Sequence, residues 1–149
     1  MDTVPSEQRS RNMAAVRSRD TRPERVVRSA LHSLGLRFRL HQSSLPGSPD
    51  IVLKRHKAVV FVHGCFWHGH DCGRGKVPAT RKDFWLPKLA GNRERDARQA
   101  RELKVLGWRV LTVWECETKD GPKLLRRLAR WFKVAQPSER FNRSPHRRG

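Results

Sequence analysis

The chain has 149 residues, with 33 Lys or Arg against 14 Asp or Glu and a formal charge of +19, which suits one domain with a modest core. So large a positive surplus on so small a body is the footprint of a polyanion-binding protein, because phosphate contacts release condensed counterions. The opening residues lack the apolar stretch of a secretory signal, no apolar run approaches a membrane span, and three unevenly spaced cysteines argue against a disulfide framework, so a reducing cytoplasm is expected.

Residues 1–20 read as a basic arm, with a short helix over Arg9–Arg17 that carries Met13, Ala14 and Val16 and needs a partner for order. Thr21-Arg22-Pro23-Glu24 is a helix start: Thr21 as N-cap, Pro23 in the first turn and Glu24 completing a capping box. Val26, Val27, Ala30, Leu31 and Leu34 then recur at helical spacing until Gly35. Leu36–Leu40 alternates apolar and basic residues, as a half-buried strand does.

After a Ser/Pro/Gly loop, Asp50–Lys54 and Ala58–Val62 form a hairpin around Arg55-His56-Lys57. His63–Pro78 has no periodicity and holds half of the ten His and Cys residues. Asn92–Leu106 reads as a helix with Asn92 as N-cap, Trp108–Trp114 as a strand, and Pro122–Phe132 as a closing helix. The main body is therefore 21–132, and 133–149 is a Pro/Ser/Arg-rich tail expected to be disordered. This order of elements makes a small α/β sheet with helices on its faces.

If Trp108–Trp114 runs parallel to Ala58–Val62, the intervening helix is a crossover and both strands end at one edge. Pairing Lys54 with Ala58 sets Asp50 opposite Val62, to within a residue. Asp50, the Val62 carbonyl, His63, the loop residues and Cys116 then converge where ligand sites commonly lie.

Cys65, His70 and Cys72, joined by Cys116 from afar, offer three sulfurs and an imidazole, the Cys3His set that zinc favours in closed structural sites. A Gly-rich loop without apolar periodicity needs something to order it, and a metal would do so. His63 and His68 are then surplus, and an imidazole beside a carboxylate suits proton transfer at neutral pH. The choice between His68 and His70 as ligand stays open at this point. Asp50 opens a strand, and with the Val62 carbonyl it offers the hard oxygens that Mg2+ takes alongside water and phosphate. Glu24 is either a capping residue or a holder of metal-bound water. Phe66-Trp67 and Phe84-Trp85 sit on no periodic apolar face; they are either wedges for DNA base steps or a cover over the metal loop.

Several segments together resemble the very short patch repair endonucleases: Arg9-Ser10-Arg11-Asn12-Met13, Asp20-Thr21-Arg22-Pro23-Glu24, Pro49-Asp50-Ile51-Val52, Val60-Phe61-Val62-His63-Gly64-Cys65-Phe66-Trp67-His68, Phe84-Trp85 and Asn92-Arg93-Glu94-Arg95-Asp96. The resemblance covers about Arg9 to Phe132 and implies a fold similar to type II restriction endonucleases. In that superfamily Asp/Glu-x-Lys usually follows Pro-Asp; here Phe61-Val62-His63 stands in its place.

The resemblance further implies strand-specific nicking 5′ of the thymine in a T:G mismatch, the product of 5-methylcytosine deamination. It implies Mg2+ on Asp50 and the Val62 carbonyl, His68 as general base with His63 and Glu24 in support, and structural Zn2+ on Cys65, His70, Cys72 and Cys116. Phe66, Trp67 and Trp85 would intercalate, Lys88 and Asn92 would lie near the mismatched bases, and the arm around Met13 would close over the DNA. A monomer acting on double-stranded DNA at the nucleoid is expected, with room for other repair proteins as partners. The rival readings are a restriction-type nuclease of other specificity and a non-catalytic, zinc-stapled nucleic-acid-binding module.

Overall fold

The computed structural model describes residues 20–72 and 79–136, so the expected arm with Met13 and the tail beyond Gln136 lie outside the described residues. Helix α1 spans Arg22–Ser33. The Thr21 hydroxyl accepts from the Glu24 N–H at 3.3 Å, which satisfies one otherwise unpaired donor of the first turn. The reciprocal half of the expected capping box is absent, because the Glu24 carboxylate turns inward and is 2% exposed. The helix ends in a Schellman motif: Gly35, at φ 78°, donates to the His32 carbonyl at 2.9 Å, and Leu36 donates to the Leu31 carbonyl at 3.1 Å. Leu36 is thereby committed to closing α1, so strand β1 is only Arg39–Leu40 rather than the whole of Leu36–Leu40.

Strand β2 (Ile51–Leu53) and strand β3 (Ala58–His63) form the hairpin, joined by a 3-10 turn at Lys54–His56 with Lys57 left-handed at φ 50°. The turn consumes four residues, so Leu53 pairs with Ala58 and Ile51 with Val60. The register is one residue from the expected one, and Asp50 stands level with Phe61 rather than Val62. Strand β4 (Arg109–Trp114) runs parallel to β3, giving a four-stranded mixed sheet in the order β1-β2-β3-β4. Between them lies α2, Lys82–Val105, which starts ten residues before the expected Asn92. Buried Leu89 anchors that extra length, and Pro87, in the second turn, leaves one helical bond unmade without ending the helix. Phe84 and Trp85 are thus helical.

Helix α3 (Gly121–Phe132) is capped by the Asp120 carboxylate, which accepts from the Lys123 N–H at 3.1 Å. Its inner residues Leu124, Leu128 and Phe132 join Val27 and Leu31 of α1 and Ile51, Val60, Leu111 and Val113 of the sheet in one core. A smaller cluster of Val52, Val59, Phe61 and Leu103 fills the other face, under α2. Burial on both faces explains why Ala58–Phe61 is an unbroken apolar run. Val134, just past α3, still packs on the core.

Candidate active site and metal centre

The chain leaving β3 and the 3-10 turn leaving β4 (Glu115–Lys119) meet at one sheet edge. There the donor atoms of Cys65, His70, Cys72 and Cys116 all lie within 4.8 Å of one another. Cys116 Sγ is 3.6 Å from His70 Nδ1. Sulfur and nitrogen on one tetrahedral zinc would stand about 3.5 Å apart. The residues therefore fit a four-coordinate metal. The Glu115 carboxylate and Cys65 Sγ hold the two loops together, accepting from the Cys65 and Cys116 N–H groups at 3.4 Å each. Burial pushes the Cys65 thiol up to about 12 and raises Cys116 as well, so without a cation both are protonated.

His68 and His70 part company at Gly69, whose φ of 64° is a left-handed turn that a side chain would strain. A Cβ there would also stand 3.1 Å from the Arg93 side chain. His70 goes to the cysteines and stacks on Trp114, centroids 4.1 Å apart. His68 goes the other way, stacks on His63 with centroids 3.7 Å apart, and pairs through Nδ1 with the Asp96 carboxylate at 2.5 Å. Burial, and then the neighbouring His68, drive His63 down to about 3, so it is neutral at physiological pH. Burial opposes the charge on Asp96, but the hydrogen bond and charge of His68 outweigh it and hold the carboxyl below its usual range.

Asp50 lies at the start of β2, and its Oδ2 accepts from the Val62 N–H at 2.7 Å. Burial pushes its carboxyl up to about 7, with the Glu24 charge adding to the effect and the Val62 N–H opposing it. Glu24, His41 and Asp50 form a second cluster, their donor atoms within 4.8 Å of one another. Burial raises Glu24 too, against the pull of His41 and Arg28. The carboxylate cluster thus meets β3 at the Val62 N–H, one residue before His63 of the His63–His68–Asp96 set.

Phe66, Trp67 and Trp85 pack edge to face, with centroid separations of 5.1, 5.0 and 5.8 Å. All three are half-buried, whereas Phe84 beside them is 46% exposed under the Arg81 guanidinium. Asn92 does not cap α2; its amide donates to the Trp67 carbonyl at 2.8 Å and ties the loop to the helix.

The family described as DNA mismatch endonuclease Vsr matches residues 1–74. The type II nicking enzyme V.XorIIP of Xanthomonas oryzae pv. oryzae is 53% identical over 127 residues, covering 85% of this chain and 93% of the relative. The DNA mismatch endonuclease Vsr of Escherichia coli K12 is 49% identical over 129 residues, 83% of each chain. The type II nicking enzyme V.NmeAIP of Neisseria meningitidis is 43% identical over 137 residues, 90% of this chain and 98% of the relative.

The chain belongs to the Vsr family.

Membership makes it a DNA endonuclease, and the fold sets out two clusters, Glu24, His41 and Asp50, with Asp50 on the Val62 N–H, and His63, His68 and Asp96. Lys88 is exposed on α2, one turn before Asn92. Two residues of these clusters escaped the sequence reading. His41 directly follows the two-residue β1 with no motif around it. Asp96 had a signal: it is one helical turn beyond Asn92, so a loop that touches one can touch the other. Among the described residues no helix is long and apolar enough to cross a membrane.

Proposed function

We propose that this Vsr-family chain nicks one DNA strand 5′ of the thymine in a T:G mismatch. The observation that carries the catalytic part is the His68–Asp96 pair. Asp96 on Nδ1 fixes the ring and its tautomer, which leaves Nε2 to take the proton of an attacking water. Neutral His63, stacked on His68, places no charge beside that ring. Asp50 would hold Mg2+ with the Val62 carbonyl, which leaves an extended strand on the same side as the Val62 N–H that Asp50 accepts. Glu24 supports that site through a metal-bound water. When bound, Mg2+ supplies polarisation of the scissile phosphate and charge stabilisation of the leaving oxygen.

Cys65, His70, Cys72 and Cys116 would hold Zn2+ as a structural staple that shapes the loop between β3 and α2. Phe66, Trp67 and Trp85 form the wedge that enters the base stack, with Lys88 and Asn92 at its flank and the Met13 arm closing over the duplex. The chain acts as a monomer, since one copy carries both the base and the wedge.

A second reading, nicking at another site or lesion, is favoured by the names of two relatives, which say type II nicking enzyme without specifying a mismatch. Nicking of a strand-labelled duplex carrying T:G is compared with its matched T:A control. Cleavage of the T:G duplex alone is expected, and equal cleavage of both rejects mismatch specificity in favour of the second reading.

A further inference from the structure

The side chains of Glu24, Asp50 and His41 come from three separate places: the first turn of α1, the start of β2, and the residue after β1. Backbone pairing fixes the third, since the His41 N–H donates to the Asp50 carbonyl at 3.1 Å. His41 sits at φ 49°, a left-handed conformation that is uncommon for a residue with a side chain. Such strain tends to persist where the surroundings impose it, and functional sites are a frequent place.

The imidazole is directed toward the two carboxylates. His41 Nε2 is buried and makes no hydrogen bond among the described residues. The Glu24 Oε2 atom stands 3.7 Å away, beyond hydrogen-bonding distance. A buried ring nitrogen left without a partner carries a desolvation cost that a bound ion would remove. The three donor atoms lie within 4.8 Å of one another. Donors on one octahedral ion with bonds of about 2.1 Å stand about 3 to 4.2 Å apart, so small side-chain rotations bring all three onto a single cation.

We propose that His41 is a nitrogen ligand of the cation held by Asp50 and Glu24, and that it gives the site a preference for Mn2+ over Mg2+. The proposal rests on the reading of Asp50 as the cation-holding residue. Two carboxylates and a carbonyl make an oxygen site, which Mg2+ and Mn2+ both accept. An imidazole changes the balance: Mg2+ takes oxygen almost exclusively, whereas first-row transition ions bind imidazole well. His41 therefore contributes to Mn2+ binding far more than to Mg2+ binding. The competing account is that His41 is protonated and merely neutralises Glu24, alongside Arg28, whose guanidinium is 3.4 Å from the same carboxylate.

The test is Mn2+ titration of the zinc-loaded, DNA-free full chain, with free Mn2+ read by electron paramagnetic resonance and Mg2+ added as competitor. His41→Gln, with His41→Asn as a second variant should the first fold poorly, is compared with wild type and Asp50→Asn. Loss of Mn2+ affinity by at least about tenfold in the His41 variant, with a smaller change in Mg2+ competition, is the expected result. Unchanged or tighter Mn2+ binding in both His41 variants overturns the proposal, and tighter binding points to the protonated ion pair. Loss of binding in Asp50→Asn alongside either of those results leaves the Asp50 reading standing. Wild-type Mn2+ binding in Asp50→Asn removes the cation site itself, and His41's role with it.

Discussion

The imidazole rings of His63 and His68 lie face to face, with centroids 3.7 Å apart and planes within 3° of parallel. Two imidazolium ions at that spacing would repel strongly, so at most one ring carries charge. The geometry separates the two rings: His63 is the buried neutral partner, and His68 is the ring held by Asp96.

The first prediction follows from the His63 environment. Its pKa is lowered from 6.5 in the unfolded chain to about 3 in the fold. Between those values the unfolded chain binds one more proton than the folded one, so stability is present above the unfolded pKa and is lost as pH falls below it. The loss is up to about 1.4 kcal/mol per pH unit in that window. His63→Gln removes the group, so its stability declines less on acidification, with cysteine protonation common to both proteins. Urea unfolding of the pair at about pH 7.5 and about pH 5.5 checks this. Equal losses in the two proteins would mean that His63 titrates freely in the fold.

On the proposed mechanism Asp96 acts through His68, not on the phosphate. Asp96→Asn keeps the shape and a polar partner but allows the wrong imidazole tautomer and removes the charge that supports the protonated ring. The expected outcome is a drop of about 10²–10⁴-fold in single-turnover nicking of a T:G duplex, with duplex affinity little altered. A parallel loss of affinity would instead mark Asp96 as a scaffold residue, and an unchanged rate would release His68 from dependence on it.

Much of this site was legible in the sequence because local patterns carry it. The Schellman glycine after α1, the apolar hairpin and three of the four zinc-type donors each announce themselves within a few residues, and the parallel pairing of β4 with β3 brings in Cys116. What failed to show depends on register and on weak periodicity. His41 reaches Asp50 only because β1 pairs with β2 in one particular alignment, and a two-residue strand gives almost no pattern from which to infer it. Helix α2 buries only Leu89 and Leu103, so its apolar rhythm is too sparse to locate its start or to single out Asp96 among its charged residues. The one-residue error at Asp50 came from a turn whose length is set by the left-handed Lys57, which is a conformation rather than a residue signature.

The sulfur and imidazole cluster gives a third expectation. Cys65 and Cys116 must lose protons to bind metal, and burial raises both thiols, with Cys65 at about 12. Metal binding therefore competes with protons, and apparent zinc affinity rises with pH. Elemental analysis of the purified chain is expected to give about one zinc per chain. Cys116→Ser is expected to lower that stoichiometry and to leave the remainder easily removed by a chelator as pH falls. A fully folded, metal-free chain with wild-type melting behaviour would reject the structural role.

The last prediction separates the two roles open to the ring cluster. Phe66, Trp67 and Trp85 touch one another edge to face and lie in or against the zinc loop. If they only cover the metal, truncating one should loosen the loop and release zinc. If they enter the base stack, truncation should leave zinc in place and weaken the hold on the mismatched duplex. Trp85 is the informative position, because it comes from α2 and not from the loop that carries Cys65, His70 and Cys72. Stacking of an aromatic side chain on a base contributes about 1–3 kcal/mol, so Trp85→Ala is expected to weaken binding of the T:G duplex by about 5–150-fold. Zinc content and melting temperature should stay near the wild-type values. Phe at the same position keeps a stacking face and should recover most of the affinity. Loss of zinc in Trp85→Ala, or wild-type affinity for the mismatched duplex, would assign the cluster to the metal loop and leave the wedge to other residues.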